Sequence, residues 1–232
     1  LFSKRVPGTT VSLAAGAISG LVAGFIGMYL LAPVTLWLGN GIRELINMAL
    51  DFSPLLAGLV AGILIWPAII GGVYHAAILP IVLLEMEQAG SSFLGAIDLT
   101  GLVMVSAGIT LANIVLPRNS GDRTAAIPGF AINMGFGTFV EASYPYMFSD
   151  KLVFAGAIIA STVSGALVGF FGVRGTAYVP SLLAPGLANE GHGLKMVICM
   201  VVAMAVSFAI TLIANRIHIQ KNKNKTEDLH TA

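Results

Sequence analysis

Two ionisable side chains lie in apolar stretches that are interrupted by glycine and proline. Glu141 lies in FGTFVEASYPY, and His75 lies in GGVYHAAILPI. A carboxylate accepts several hydrogen bonds, and a neutral imidazole donates one and accepts another, so the pair could bind a solute that carries many hydroxyl groups. Tyr74, Tyr144 and Tyr146 flank them with rings that could pack against an apolar face of such a solute.

Each of these residues also has a simpler interpretation. His75 could be an interior histidine that is hydrogen-bonded to backbone. Glu141 could cap the free N–H groups where a short helix begins, since the helix dipole favours an anion there. It could also titrate as the coupling site of an ion- or proton-driven transporter. Tyr144 and Tyr146 could belong to a belt of aromatic residues at a membrane interface.

The composition indicates what surrounds these residues. The chain is 56% hydrophobic and only 10% charged, with a mean hydropathy of +0.89, whereas soluble domains carry about 25% charged residues. Five uncharged runs are each about as long as, or longer than, the roughly 20 residues that span a bilayer. These runs are Arg5 to Arg43, Asp51 to Glu85, Asp98 to Arg118, Lys151 to Arg174 and Lys195 to Arg216. The sequence therefore predicts an all-α polytopic membrane protein.

Glycine and proline divide the apolar runs into spans and broken segments. We expect re-entrant, hairpin-like breaks around GGVYHAAILP and within residues 127–148, because irregular backbone at membrane depth needs a protein or watery lining. PRNSGDRTAA is predicted to be a polar loop, and RGTAYVPSLLAPGLANEGHG a loop or short re-entrant turn. The predicted spans are Val11–Leu38, Leu55–Pro67, Leu99–Leu116, Leu152–Val173 and Met196–Ala214.

The same pattern divides the chain into three regions. Residues 1–51 combine the first span with an amphipathic helix, NGIRELINMALDFSP, that we expect to lie along the membrane interface. Residues 52–215 contain the remaining spans and both broken segments, and we expect them to form a transport domain, because broken pairs of this kind mark the binding site in many transporters. Residues 216–232 form a basic tail, predicted to be disordered and, by the positive-inside rule, cytoplasmic.

Several kinds of chemistry lack their usual motifs. There is no GxxxxGK[ST], GxSxG or HExxH motif, and no cofactor, metal or nucleic-acid partner is expected. Cys199, the single cysteine, lies in an apolar run and is interpreted as a buried structural thiol. Four further charges, Asp98, Arg118, Asp122 and Arg123, are interpreted as solvated loop residues.

The two broken segments, with the stretch from Leu55 to Val173, resemble enzyme IIC, the membrane permease of the bacterial phosphoenolpyruvate-dependent sugar phosphotransferase system. GGVYHAAILPI is similar to the G-x-H-x-x-x-x-P element of the β-glucoside and sucrose branch of the glucose superfamily. GTFVEASYPY is similar to its GITEP element, with Glu141 in the place of the glutamate and Ala142 in the place of the proline. The spacing ExxxPY is instead like that of the fructose and mannitol branches.

The resemblance implies a homodimeric permease of the bacterial inner membrane that binds a sugar between the two hairpins. Glu141 would then contact the hydroxyl to be phosphorylated, and orient or deprotonate it. His75, Tyr74, Thr138 and Tyr144 complete the expected binding residues. The phosphoryl group would come from phospho-enzyme IIB, a separate chain or domain supplied through IIA and the general phosphocarrier proteins.

Overall fold

The chain folds almost entirely into helices. The computed structural model describes residues 8–231, although several side chains between residues 35 and 50 and those of residues 225–231 lie outside the description. The α-helices are α1 (Gly8–Ile26), α2 (Ala32–Phe52), α3 (Pro54–Ile70), α4 (Leu79–Ala89), α5 (Phe93–Ile97), α6 (Val105–Val115), α7 (Ser120–Phe136), α8 (Tyr144–Ser149), α9 (Lys151–Phe171) and α10 (Gly193–Thr231). Three π-helical segments (Gly27–Leu31, Tyr74–Ile78, Asp98–Met104) and two 3₁₀ turns (Val140–Ser143, Ala184–Leu187) connect them.

Four helical segments in the described part of the chain are long and apolar enough to cross a membrane: Thr9–Val34, Phe93–Val115, Lys151–Phe171 and Gly193–Asn224. A fifth span arises if α3 and the segment Tyr74–Ala89, which are bent by 109° at the break between them, are counted as one span. The all-α, multi-pass membrane architecture predicted from the sequence is therefore confirmed.

Helices α3 and α9 pack with their backbones in direct contact. Gly58 lies against the Gly165 carbonyl, and a β-carbon on either residue would collide with backbone of the other helix. Ser161 Oγ donates a hydrogen bond of 2.6 Å to the Gly62 carbonyl across the same seam. Small residues allow such close approach between membrane helices. The contact fixes the position of α3, which leads directly into the first broken segment.

The span from α5 through α6 is the buried centre of the molecule. It is π-helical over Asp98–Met104, a geometry that leaves some carbonyls free for partners outside the helix. Trp66 Nε1 donates to the Gly101 carbonyl at 3.0 Å, and Asn133 Nδ2 donates to the Val103 carbonyl at 2.7 Å. The π-helical segment is thereby tied to both α3 and α7.

Both predicted breaks are present. Helix α3 ends at Ile70, and Gly72 turns the chain with a left-handed φ of 75° before the π-helical turn that carries His75. Helix α7 ends at Phe136, and Gly137, with φ 67°, begins the second break. A β-carbon on Gly137 would also meet the backbone of Val179, so this position needs glycine for two reasons.

Two elements differ from the sequence prediction. Helix α7 already begins at Ser120, because the Asn119 side chain accepts a hydrogen bond from the Asp122 N–H and caps it. The polar loop predicted over PRNSGDRTAA is therefore limited to its first residues. The predicted disordered tail is helical as far as Thr231, as a continuation of α10. Its arginine, its glutamine and its three lysines favour helical backbone.

The predicted interfacial helix is continuous with α2 rather than separate from it. Six of its fifteen side chains, including most of its predicted apolar face, lie outside the described residues, so its orientation along an interface stays a prediction.

A polar network closes one end of the bundle. Arg118 pairs with Asp150 at 2.6 Å and donates through Nε to Asn215 Oδ1 at 2.7 Å. Asn215 Nδ2 donates in turn to Asn113 at 3.0 Å. The network joins the start of α9 to α6 and α10. Arg118 is therefore not the solvated loop charge that the sequence suggested, since only 11% of its side chain is exposed.

Candidate functional site

A small cavity of about 10 Å³, with room for about one water molecule, lies where the two broken segments meet. Its polar lining consists of His75, Asp98, Thr138 and Tyr178, and carbon atoms of the π-helical segment form one wall. His75 comes from the first break, Thr138 from the second, and Asp98 from the central span. The structure thus brings together residues that are up to about 100 positions apart in the sequence.

His75 and Thr138 are the two predicted binding residues that lie in the cavity lining. Both are exposed and both line the cavity. The His75 ring lies edge-on to the Tyr74 ring, with centroids 5.4 Å apart. No hydrogen bond to the His75 ring is found among the residues that the structure describes, so its two nitrogens can serve a ligand. The interpretation of His75 as an interior histidine bonded to backbone therefore gains no support.

Glu141 lies beside the cavity. It is half-buried in the 3₁₀ turn Val140–Ser143, and Val140 is the member of this turn that lines the cavity. Neither this turn nor α8 has a side-chain cap, which leaves the helix-capping interpretation without support. Burial and the charge of Glu141 together raise the pKa of Tyr144 to about 12. The carboxylate is therefore close to the ring that follows it.

Tyr178 also lines the cavity and was not foreseen from the sequence. Burial comes first among the causes that raise its pKa to about 12, followed by the negative charges of Asp98 and Glu141. Its backbone has φ 57°, and it is the one non-glycine residue with positive φ in the described part of the chain. Such a conformation is unfavourable for a tyrosine, and it is found most often at functional sites. It places the ring at the cavity.

Asp98 corrects the sequence interpretation most directly. It is 4% exposed rather than solvated, and its Oδ1 accepts a hydrogen bond of 2.6 Å from the Tyr74 hydroxyl. Helix α5 begins at Phe93, capped by Ser92, so Asp98 lies five residues inside the span. The missed signal was the serine cap, which moves the start of the helix ahead of the aspartate.

The aromatic residues have different roles from one another. Tyr74 is buried, and its hydroxyl donates a hydrogen bond to Asp98. It therefore lies behind the cavity rather than in its lining. Tyr144 is half-buried, with its ring edge-on to Trp66 at 6.5 Å. Tyr146 is also buried and donates to the Asp122 carbonyl at 2.8 Å. That bond ties α8 to the start of α7.

Comparison with known proteins supports the family resemblance. The chain is 26% identical over 208 residues to the sucrose-specific EIIBC component of the phosphotransferase system of Staphylococcus xylosus, which covers 84% of this chain and 42% of that protein. It is 25% identical over 233 aligned positions to the MurNAc-GlcNAc-specific EIIBC component of Staphylococcus haemolyticus (97% and 47%). It is 23% identical over 202 residues to the arbutin-, cellobiose- and salicin-specific EIIBC component of Escherichia coli (83% and 41%).

The chain spans less than half the length of these curated relatives. No family model matches the chain, and no solved structure gives a significant match. The agreement with several phosphotransferase components nevertheless extends over most of its residues, including both broken segments. The chain is a homologue of the sugar-specific EIIBC components, and its resemblance to an enzyme IIC permease of the glucose-type family is confirmed.

Proposed function

We propose that this chain is the sugar permease, or IIC, part of a phosphotransferase system. It binds a sugar at the cavity between the two breaks, carries it across the membrane and presents it to phospho-enzyme IIB. The observation that carries the proposal is the meeting of His75 and Thr138, from two separate broken segments, in one polar cavity beside Glu141. Transporter sites are commonly built in this way from discontinuous membrane helices.

The lining suits a polyol better than an ion. An imidazole, a threonine hydroxyl and a tyrosine hydroxyl can each donate and accept hydrogen bonds, as sugar hydroxyls do. At about 10 Å³, the cavity is far smaller than the roughly 300–1,000 Å³ of typical small-molecule sites. We therefore expect the loop that carries Tyr178 to move outward when a sugar enters.

Glu141 has the central chemical role in this proposal. Its carboxylate accepts the hydrogen bond of the sugar hydroxyl that will be phosphorylated and takes the proton when that oxygen attacks phosphorus. The new O–P bond forms as the bond between phosphorus and the cysteine or histidine of IIB that carries it breaks, and that side chain leaves. His75 and Thr138 hold the sugar, and Tyr74 acts indirectly through Asp98. Tyr144 follows Glu141 in the chain but does not line the cavity.

The names of the relatives support a proposal for the substrate and the partners. The relatives are named for sucrose, for MurNAc-GlcNAc, and for arbutin, cellobiose and salicin. We therefore propose a glycoside or disaccharide as the substrate. The remaining partners are phospho-IIB, supplied through IIA and the general phosphocarriers, and a second copy of the chain in a homodimer. The proposed location is the bacterial inner membrane, with the end of α10 in the cytoplasm.

The test uses membrane vesicles that contain the protein together with IIB, IIA, the general phosphocarriers and internal phosphoenolpyruvate. Externally added [¹⁴C]sucrose and [¹⁴C]cellobiose should accumulate as sugar phosphates. Uptake of unphosphorylated sugar driven by a proton gradient alone would instead establish the coupled-transporter alternative, in which Glu141 titrates.

A matched pair of variants tests the residue that carries the chemistry. Glu141→Gln keeps the size of the side chain but removes its charge, and it should abolish sugar phosphorylation while the protein still inserts. Glu87→Gln, at an exposed position of α4, is the control and should support sugar phosphorylation at the wild-type rate. Unchanged phosphorylation in Glu141→Gln would remove Glu141 from the site.

A further inference from the structure

Asp98 is a buried carboxylate that the proposed reaction does not yet use. It lies five residues inside the central span and is 4% exposed. Burial of a charged group in a membrane segment costs several kcal/mol unless it is paired, and such residues are usually functional. The described residues contain a single ion pair, Arg118–Asp150, so no described cation neutralises Asp98.

One of its two oxygens has a partner. Tyr74 Oη donates to Oδ1 at 2.6 Å, within the short range of hydrogen bonds to a charged acceptor. No further hydrogen bond to Asp98 is found among the described residues. A carboxylate has about four acceptor positions, so most of its capacity is unused. Because Asp98 lines the cavity, this capacity is available to a ligand.

The surroundings of Asp98 indicate which ligand. His75, Thr138 and Tyr178 line the same cavity and offer both donors and acceptors. Tyr178, which lines the cavity together with Asp98, is also influenced by the charge of Glu141. No group of three or more His, Cys, Asp or Glu side chains suited to a metal ion occurs in the described part of the chain. A neutral molecule rich in hydroxyl groups fits this arrangement better than a cation does.

We propose that Asp98 is a second sugar-binding carboxylate, which accepts a hydrogen bond from a sugar hydroxyl other than the one that Glu141 contacts. Tyr74 is its positioning residue, since its hydroxyl holds Oδ1 and leaves Oδ2 for the sugar. This inference rests on the proposed function, because it assigns a part of the same sugar site. It gives the site two anchoring points, which together fix the orientation of the ring.

The experiment measures sugar binding directly. Purified protein in lipid nanodiscs is titrated with sucrose and cellobiose by calorimetry, and the sugar that binds more tightly is replaced in turn by its monodeoxy analogues. Asp98→Asn should weaken binding by about 10- to 100-fold, the range of one hydrogen bond to a charged group. Asp98→Asn should also bind one monodeoxy analogue as tightly as the parent sugar, because that analogue lacks the hydroxyl that Asp98 contacts. Glu141→Gln should lose discrimination at a different position.

Tyr74→Phe tests the positioning role. It removes only the hydroxyl, and it should weaken binding at the same deoxy position as Asp98→Asn, by about 3- to 10-fold. A merely structural role would lower the affinity for all analogues equally. Tyr29 is 68% exposed, and Tyr29→Phe is the matched control. It should leave the affinities for the sugar and its deoxy analogues unchanged. If Asp98→Asn does not fold, Tyr74→Phe still decides, since it leaves the carboxylate in place.

Three outcomes overturn the inference. Unchanged affinity and an unchanged deoxy profile in both Asp98→Asn and Tyr74→Phe remove Asp98 from the site but leave the proposed function standing. Sugar affinity that depends on Na⁺ in the wild type and not in Asp98→Asn makes Asp98 a cation ligand instead. Absence of binding of any phosphotransferase sugar by the wild type overturns both the proposed function and this inference.

Discussion

The backbone contact between α3 and α9 offers the sharpest test of how the fold supports the site. Gly58 and Gly165 face each other so closely that a single methyl group on either would overlap a carbonyl of the other helix. Backbone atoms cannot move aside as a flexible side chain can. We therefore expect Gly165→Ala or Gly58→Ala to push the two helices apart.

The magnitude follows from two terms. Overpacking by a methyl group in a close-packed seam costs about 1–3 kcal/mol. Separation of the helices also stretches the 2.6 Å bond from Ser161 to the Gly62 carbonyl, worth about 1 kcal/mol. Each variant should therefore lose about 2–4 kcal/mol, or roughly 4–16 °C of melting temperature at ~2–4 °C per kcal/mol. The double variant should lose less than the sum, because the first methyl group already separates the helices.

The assay is thermal unfolding of the protein in nanodiscs at a fixed heating rate, together with sugar titration. Gly135→Ala is the control, since no atom lies within 4 Å of the added methyl group on this helical residue, and it should be neutral or slightly stabilising. Sugar affinity should fall with stability in the seam variants, because α3 leads into the segment that carries His75. Strictly additive losses, or a melting temperature equal to that of the control, would refute the close-contact reasoning.

Three further predictions concern single residues. Burial would raise the pKa of Asp150, but hydrogen bonds from backbone N–H groups and from Arg118, together with the charge of that arginine, outweigh burial and lower the pKa. The ion pair therefore stabilises the fold above the ordinary aspartate pKa. This stability is lost as the pH falls through the lowered pKa of Asp150. Asp150→Asn, which still caps the helix, should lose about 1–3 kcal/mol at pH 7 and show a flatter melting profile between pH 3 and 7; equal profiles would contradict the role of the pair. His75→Ala should weaken sugar binding less than Glu141→Gln does, as measured by calorimetry; failure to insert stably would instead support a structural histidine. Gly137→Ala should lose about 2–4 kcal/mol of stability and most sugar binding, because its φ of 67° and the nearby loop backbone both exclude a β-carbon; wild-type melting and affinity would show that the second break tolerates a side chain.

The sequence was sufficient for the features that depend on local composition. Uninterrupted apolar runs of about 20 residues specify membrane spans, because a helix is the form that satisfies its own backbone in lipid. Glycine and proline mark the two breaks, since both disfavour continuous helix. The ionisable residues inside those breaks, His75 and Glu141, were found because a charge among apolar neighbours is conspicuous. The resemblance then linked them to one family.

Tertiary structure decided what depends on contacts between distant elements. Asp98 looked solvated because it stands at the edge of an uncharged run, and only the folding of α5 and the central span around it makes it buried. Its partner Tyr74 is 24 positions away, a distance at which spacing carries no information about contact. Tyr178 comes from a loop whose left-handed backbone no local pattern specifies. These residues meet because helices close-packed through glycine bring three segments to one cavity, and that arrangement is a property of packing rather than of any single stretch of sequence.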